Sequence, residues 1–163
     1  MQGTFYYSTV SGNTRLVGEA LQESFRIAGV TLLLQDVAED SIWGKEEWRM
    51  KNEEWMNSFV IFACWTYGHG QLQSTMRKCC EETWKSIQLK WLPCAAIGLG
   101  DHRYDREYNM YAADILENWI CKHGWNLTCP ALRINRSPIK PNNQKIIENW
   151  AKSFIQNLRK CRE

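Results

Sequence analysis

The chain has 163 residues, of which 44% are hydrophobic and 23% are charged, a composition typical of a folded globular protein rather than a disordered one. Its 20 basic and 18 acidic side chains give a formal net charge of +2, which does not favour nucleic acid as a partner. No apolar run approaches the roughly 20 residues of a membrane span, so the sequence predicts no membrane association.

Seven cysteines occur at irregular spacing, and the first residues lack the basic and then apolar pattern of a secretion signal. Disulfides are rare in the reducing interior of cells. We therefore expect a cytoplasmic protein whose thiols are reduced and mostly buried.

The first predicted elements are an apolar strand at residues 5–7, a tight hydroxyl-rich loop and an amphipathic helix. This layout directs several backbone N–H groups at one point beside the helix N-terminus, where an anion such as phosphate is favoured. Hydroxyls and one amide could add donors, and the glycine allows close approach of the backbone. The loop residues predicted at this anion site are Thr9, Val10, Ser11, Gly12, Asn13 and Thr14.

No lysine follows the glycine of this loop, as a nucleoside-triphosphate loop would require, and the G-x-G-x-x-G spacing for a dinucleotide is absent. A loop with hydroxyls and without a cation suits a single monoester phosphate. The alternative is an ordinary helix cap, because Ser and Thr are common capping residues.

Apolar strands and amphipathic helices alternate along the rest of the chain. Further strands are predicted near residues 30–34, 59–63, 93–99 and 127–134, and further helices within 38–57, near 76–87 and 112–120, and after 141. Because parallel strands are joined by right-handed crossovers, five such β–α units predict a three-layer, doubly wound α/β fold. We expect it to form one domain over residues 1–163.

Ligands of doubly wound sheets bind beyond the carboxyl ends of the strands, so the loops after the first, third and fourth strands should form one site. The loop after the third strand carries Tyr67 beside Gly68, and the loop after the fourth places Tyr104 after Gly100 and Asp101. Two aromatic side chains beside a phosphate site indicate a planar ring held between them. Each tyrosine taken alone is more often a half-buried packing residue.

At these three loops the sequence resembles the flavodoxins, in the order and spacing of that family. Residues 9–14 resemble the T-x-[ST]-G-N-T phosphate loop, residues 66–72 resemble T-[WY]-G-x-G-x-L, and residues 98–101 with Tyr104 resemble a G-x-G-D loop followed by an aromatic. The resemblance covers nearly the whole chain and looks like the short-chain type. It implies a five-stranded parallel sheet in the order 2-1-3-4-5.

The resemblance further implies a low-potential, one-electron carrier that binds FMN non-covalently, alternates mainly between semiquinone and hydroquinone, and has no substrate of its own. The first loop would hold the ribityl phosphate, and the backbone around Leu99, Gly100 and Asp101 would contact the pyrimidine edge of the flavin. Tyr67 and Tyr104 would lie against the two faces of the ring. The other residues implied at the cofactor are Thr66, Gly68, His69, Gly70 and, as an alternative to Tyr104, Tyr108.

The partners implied by the resemblance are redox proteins: a flavodoxin or ferredoxin reductase as electron donor and a reductase-type acceptor, with the carrier itself a monomer. One alternative is a dedicated activator of a single partner such as ribonucleotide reductase, which the near-neutral charge favours. Another is a flavin-less adaptor of the same fold, which the intact glycines and tyrosines disfavour. No His–Cys pair has metal-ligand spacing, and no serine or cysteine lies in a nucleophile motif.

Overall fold

Parallel apolar strands form the centre of the protein, and helices cover both faces of the sheet. The computed structural model describes residues 1–39, 58–68, 70–87, 90–101, 103 and 111–161. The strands are β1 (Gln2–Tyr7), β2 (Thr31–Asp36), β3 (Ser58–Tyr67), β4 (Gln71–Leu72), β5 (Pro93–Gly100), β6 (Asn126–Leu127) and β7 (Leu132–Asn135). The helices are α1 (Asn13–Ile27), α2 (Ser74–Lys78), α3 (Tyr111–Lys122) and α4 (Pro141–Lys160).

The order of the parallel strands confirms the predicted doubly wound sheet. β1 lies between β2 and β3, β3 pairs with β5, and β5 pairs on its other edge with β6 and β7. With β6 and β7 counted as the fifth strand, this is the expected order 2-1-3-4-5. The differences are that the fifth strand is divided and that β4 adds a short antiparallel pairing to β3.

The prediction of one continuous fifth strand near residues 127–134 was wrong, because the segment forms two short strands, β6 and β7. Pro130 has no N–H to donate, and the N–H of Ala131 donates to Glu117 Oε1 on α3 at 2.9 Å. Neither residue therefore contributes an N–H to the pairing with β5. The strand resumes at Leu132, which pairs with Ile97.

The helix predicted near residues 76–87 is also interrupted. After α2, residues Cys79–Thr83 form a π-helical turn and Trp84–Ser86 a 3₁₀ turn. The apolar spacing nevertheless identified its buried side, because Met76, Cys80 and Trp84 are all buried. The helix predicted within 38–57 lies outside the described residues, apart from positions 38 and 39, which are not helical.

Alternate side chains of the central strands enter two separate cores, one on each face of the sheet. On β3, Phe59 and Ile61 face the core closed by α1 and α4, whereas Val60 and Phe62 face the core closed by α2 and α3. Trp84 lies in the second core with its ring centroid 4.7 Å from that of Phe62. This two-sided burial explains why the strands are continuous apolar runs.

The cysteines are free thiols, five of them buried and two, Cys121 and Cys161, exposed. Within the part of the chain that the structure describes, no helix is long and apolar enough to cross a membrane.

Candidate functional site

The three predicted site loops leave the sheet at one edge because β1, β3 and β5 are parallel neighbours. Tyr7 at the end of β1 pairs with Ala63, Cys64 pairs with Gly98, and Gly100 at the end of β5 pairs with Asn135 on β7. The loops that follow these positions are therefore adjacent, and the loop after β7 joins them. The structure brings together the segments that the sequence analysis assigned to one site.

The first loop ends at Gly12, which takes the N-cap position of α1 with φ +83° and has no side chain to cap the helix. The hydroxyls bond within the loop instead: Thr9 Oγ1 accepts from Gly12 N at 2.8 Å, and Ser11 Oγ accepts from Asn13 Nδ2 at 3.2 Å. The alternative of an ordinary Ser or Thr cap is therefore not observed, because no side chain caps the N-terminus of α1. Because both hydroxyl oxygens act as acceptors here, each O–H group can still donate a hydrogen bond to a ligand.

Thr14 is the buried polar residue of the first loop, and its hydroxyl has no hydrogen-bond partner in the part of the chain that the structure describes. A buried hydroxyl without a partner costs free energy, and native proteins seldom contain one without a reason. Thr14 lies in the first turn of α1, where backbone N–H groups lack intrahelical acceptors and the helix dipole favours negative charge. These donors fit an anion. Val10, by contrast, is 75% exposed and contributes only backbone.

Cys64, buried in β3, contacts residues next to both the first and the second loop. Its Sγ lies 3.2 Å from Ser8 Oγ and accepts from Gln73 N at 3.3 Å. Burial raises the pKa of the Cys64 thiol from its ordinary 9.0 to about 11, so the group is a neutral thiol at neutral pH. Neither Ser8 nor Cys64 was predicted as a structural link, although each directly follows an apolar strand segment.

The second loop is a hairpin, because the strand predicted near residues 59–63 extends further than expected. β3 continues to Tyr67, because Thr66 pairs with Leu72 and Tyr67 with Gln71 across the turn. Gly70 has φ +75°, and the N–H of Gln71 donates to Gly68 O at 3.1 Å, which closes the turn. His69, predicted at the cofactor, lies outside the described residues.

The two predicted side chains of the second loop have different surroundings. Thr66 Oγ1 accepts from Ala112 N at 3.1 Å, so it anchors the start of α3. Tyr67 is 60% exposed at the end of β3, where its ring is available to a planar ligand.

The third loop begins with Leu99, Gly100 and Asp101. Leu99 is fully buried in the core beneath α4, so only its backbone could contact a ligand. Gly100 ends β5, and its carbonyl accepts from Arg136 N at 2.6 Å. Tyr104 and Tyr108, the alternative stacking rings, lie outside the described residues, as does His102.

Two arginines bind the carboxylate of Asp101. Arg103 donates from its backbone N–H to Oδ1 at 2.9 Å and from Nε and Nη2 to Oδ2, and Arg136 donates from Nε to Oδ1 at 3.0 Å. The Arg103 contacts, with that of Arg136, hold the pKa of Asp101 well below its usual range. The aspartate is therefore ionised throughout the physiological pH range.

Arg136 was not predicted as a site residue. The residue lies in the loop after β7, at the same edge of the sheet as the three motif loops. The available signal was topological: a polar segment between a strand and a proline-initiated helix, in the last β–α unit. That signal places the loop at the site but does not identify Arg136 as the residue that contacts Asp101.

The described side chains of this edge suit an organic anion better than a metal ion. Within the described ranges, no group of three or more His, Cys, Asp or Glu residues is arranged to hold a metal. The donors near the first loop are hydroxyl, amide and backbone N–H groups. Such donors recognise phosphate oxygens.

Comparison with known protein families gives a match over most of the chain. The sequence model described as Flavodoxin matches residues 5–150. A search of curated proteins gives no significant match.

Several solved structures share the fold at low sequence identity. Oxidised flavodoxin 1 from Bacillus cereus is 17% identical, with a TM-score of 0.78, over 96% of this chain and 98% of that one. Flavodoxin 2 from Bacillus cereus is 21% identical, with a TM-score of 0.78, over 96% and 99% of the two chains. The flavodiiron core from Synechocystis is 22% identical, with a TM-score of 0.75, over 98% of this chain but only 36% of that one.

Proposed function

The chain belongs to the flavodoxin family, whose cofactor is FMN, and on this premise we propose that it is a low-potential one-electron carrier with non-covalently bound FMN. Members of this family carry electrons between other redox proteins and have no substrate of their own. FMN supplies the one-electron chemistry when bound, and the residues of the chain bind it, orient it and set the charge around it. We further propose that residues 1–163 form a single domain.

The buried hydroxyl of Thr14 is the observation that carries the proposal. It has no hydrogen-bond partner among the described residues, and it lies in the first turn of α1, directly after the loop that carries the hydroxyls of Thr9 and Ser11. A phosphate monoester would accept hydrogen bonds from these groups and from the free N–H groups of the first helical turn. Gly12 supports this role, since its φ of +83° forms the turn without a side chain over the helix end.

The second and third loops are proposed to hold the isoalloxazine ring. Tyr67 offers an exposed aromatic face, and Tyr104 or Tyr108 would supply the opposite one. The backbone of Gly100 and Asp101 would contact the polar edge of the ring. His69 and Gly70 complete the second loop, and an added Cβ at Gly68 would meet no atom within 4 Å, which indicates that this backbone borders open space.

The test is an absorbance and fluorescence titration of the flavin-free protein with FMN. We expect one FMN per chain, with quenched flavin fluorescence because an aromatic ring lies against the flavin. Reduction in two separate one-electron steps would support the carrier function. Absence of binding at micromolar FMN would contradict the proposal and would favour the flavin-less adaptor.

The proposed partners are a flavodoxin or ferredoxin reductase as donor and a reductase-type protein as acceptor. A second candidate is an activator dedicated to one partner, such as ribonucleotide reductase, and the net charge of +2 favours it because the chain has no net negative charge to attract many basic partners. Electron transfer to one partner but not to several unrelated acceptors would support this candidate. The monomeric state and the cytoplasmic location stay predictions.

A further inference from the structure

The backbone of Arg136 has a conformation that arginine seldom adopts. Its φ of +64° makes it the one non-glycine residue with positive φ in the described part of the chain. Left-handed backbone is unfavourable for a side chain with a Cβ, so surrounding contacts must stabilise it here. This conformation allows Arg136 N to donate to Gly100 O at 2.6 Å.

The side chain of Arg136 reaches the same segment a second time. Its Nε donates to Asp101 Oδ1 at 3.0 Å, and the Asp101 side chain is only 12% exposed. The contact joins residues 35 positions apart, whereas Arg103 binds Asp101 from two positions away. Arg136 is thus the arginine that connects the loop after β7 to the loop after β5.

A buried amide fixes the loop on both sides of Arg136. Asn143, in the first turn of α4, donates from Nδ2 to Asn135 O and to Ser137 O, each at 2.8 Å. The strained residue is therefore held between two carbonyls that are tied to a long helix. The guanidinium of an arginine held in this way has a better defined position than that of an unconstrained surface arginine.

The bond to Gly100 O also determines the direction of the next N–H group. The described chain has no cis peptide bond, and in a trans peptide the carbonyl and the N–H point in opposite directions. Because Gly100 O faces the β7 side of β5, the N–H of Asp101 is directed to the β3 side, where the second loop begins. This N–H is a donor suitable for a carbonyl at the edge of a planar ring.

We propose that the side chain of Arg136 is a positioning group: by holding the carboxylate of Asp101, it keeps the Gly100–Asp101 peptide in the orientation needed to contact the flavin ring. The inference rests on the proposed function for its ligand, but the connection between the two loops is a property of the protein alone. The backbone N–H of Arg136 sets the direction of the Gly100 carbonyl, and its guanidinium acts through the carboxylate of Asp101. The side chain therefore affects the ring end of the cofactor and not the phosphate end.

The test uses Arg136→Gly, with Arg133→Ala as the matched control. Glycine adopts positive φ without strain, so the variant removes the guanidinium while it retains the backbone conformation. Arg133, three residues earlier, forms ion pairs with Asp114 and Glu117 on α3, and its side chain has no hydrogen bond to the described residues of the site loops. Both variants lose an ion-paired arginine, but only one loses the connection to Asp101.

Hydrogen exchange of the flavin-free proteins is measured first. We expect the amides of residues 97–101 to exchange at least about fivefold faster in Arg136→Gly than in the wild type, because a local contact has been lost. Arg133→Ala should match the wild type over the same residues. Equal exchange in all three proteins would overturn the proposal, whatever the protein binds.

Affinities for FMN and for riboflavin, which lacks the phosphate, are measured next. We expect Arg136→Gly to weaken both by the same factor, about tenfold, and to shift the visible flavin spectrum, since the change is at the ring. Wild-type affinity and spectrum in the variant, or a loss confined to FMN, would overturn the positioning role. If the wild type itself binds neither flavin, the proposed function fails, and only the loop connection tested by exchange remains.

Discussion

Ser8 and Cys64 contact each other at the base of the first and second loops, with 3.2 Å between Oγ and Sγ, although 56 positions separate them in the chain. The contact is possible because β1 and β3 are adjacent and parallel, with the N–H of Ser8 also donating to Ala63 O at 3.1 Å. The loop that follows β1 and the hairpin that follows β3 therefore have a common buried support.

Burial of the Cys64 thiol predicts a loss of stability at alkaline pH. The unfolded thiol ionises near its ordinary pKa of 9.0 and the folded one at about 11, so its contribution is complete below pH 9.0 and is lost as the pH rises through 11. Two pH units correspond to about 3 kcal/mol in the free energy of unfolding. Urea unfolding between about pH 8 and about pH 10.5 should show a smaller alkaline loss in Cys64→Ser. Parallel curves for the two proteins would contradict the raised pKa.

Replacement of Thr14 by valine should separate cofactor binding from stability. The variant keeps the shape of the side chain and removes a buried hydroxyl that has no partner, so the flavin-free protein should be as stable as the wild type or about 1 kcal/mol more stable. FMN affinity should fall by about tenfold or more, because a hydrogen bond to a charged phosphate is lost. Riboflavin provides the control and should bind both proteins equally. A similar loss for both flavins would exclude a phosphate contact.

Two glycine substitutions should differ widely in their effect on stability. An added Cβ at Gly98 would lie 2.1 Å from Ala113 N, a backbone atom of α3, so Gly98→Ala must displace the helix. We expect a loss of about 3 kcal/mol in the free energy of unfolding. At Gly68 an added Cβ meets no atom within 4 Å, and Gly68→Ala should change stability by less than about 0.5 kcal/mol. Thermal unfolding of both variants without flavin tests the pair, and equal effects would contradict the tight packing of β5 on α3.

The Asp101 ion pairs predict that the free energy of unfolding depends on pH in the acid range. Because Arg103 and Arg136 hold its folded pKa below the usual range, the contribution of Asp101 is present above its unfolded pKa and is lost as the pH falls through the folded one. Asp101→Asn should therefore be less stable than the wild type at neutral pH, and the difference should shrink below about pH 4. Denaturation at several pH values tests this, and a difference that is constant with pH would show that the lost charge is not the cause.

The fold and the first loop were predictable because local signals agreed with the tertiary structure. The continuous apolar residues of β3 required burial on both faces, and Gly12 after a hydroxyl-rich turn predicted the start of the helix that the structure has at Asn13. Pro130 in a strand-like run was a signal of the break between β6 and β7, since proline cannot donate to a ladder.

Other features depend on contacts between distant residues and could not be read from local sequence. The two-residue strand β4 exists only because Gln71 and Leu72 pair with the end of β3. The left-handed backbone of Arg136 requires Gly100, Asp101 and the buried amide of Asn143, all more than six positions away. No propensity of arginine predicts such a conformation.

The division of the core between the two faces of the sheet restricts how the length of this chain can change during evolution. Deletion or insertion of one residue inside β1 or β3 would exchange every following side chain between two cores of different shape, one containing Phe154 and the other Trp84. In β3, a change just before Phe59, which packs against Phe154 with 5.4 Å between ring centroids, would turn this ring toward the tryptophan core. Length variants should therefore be found outside the central strands.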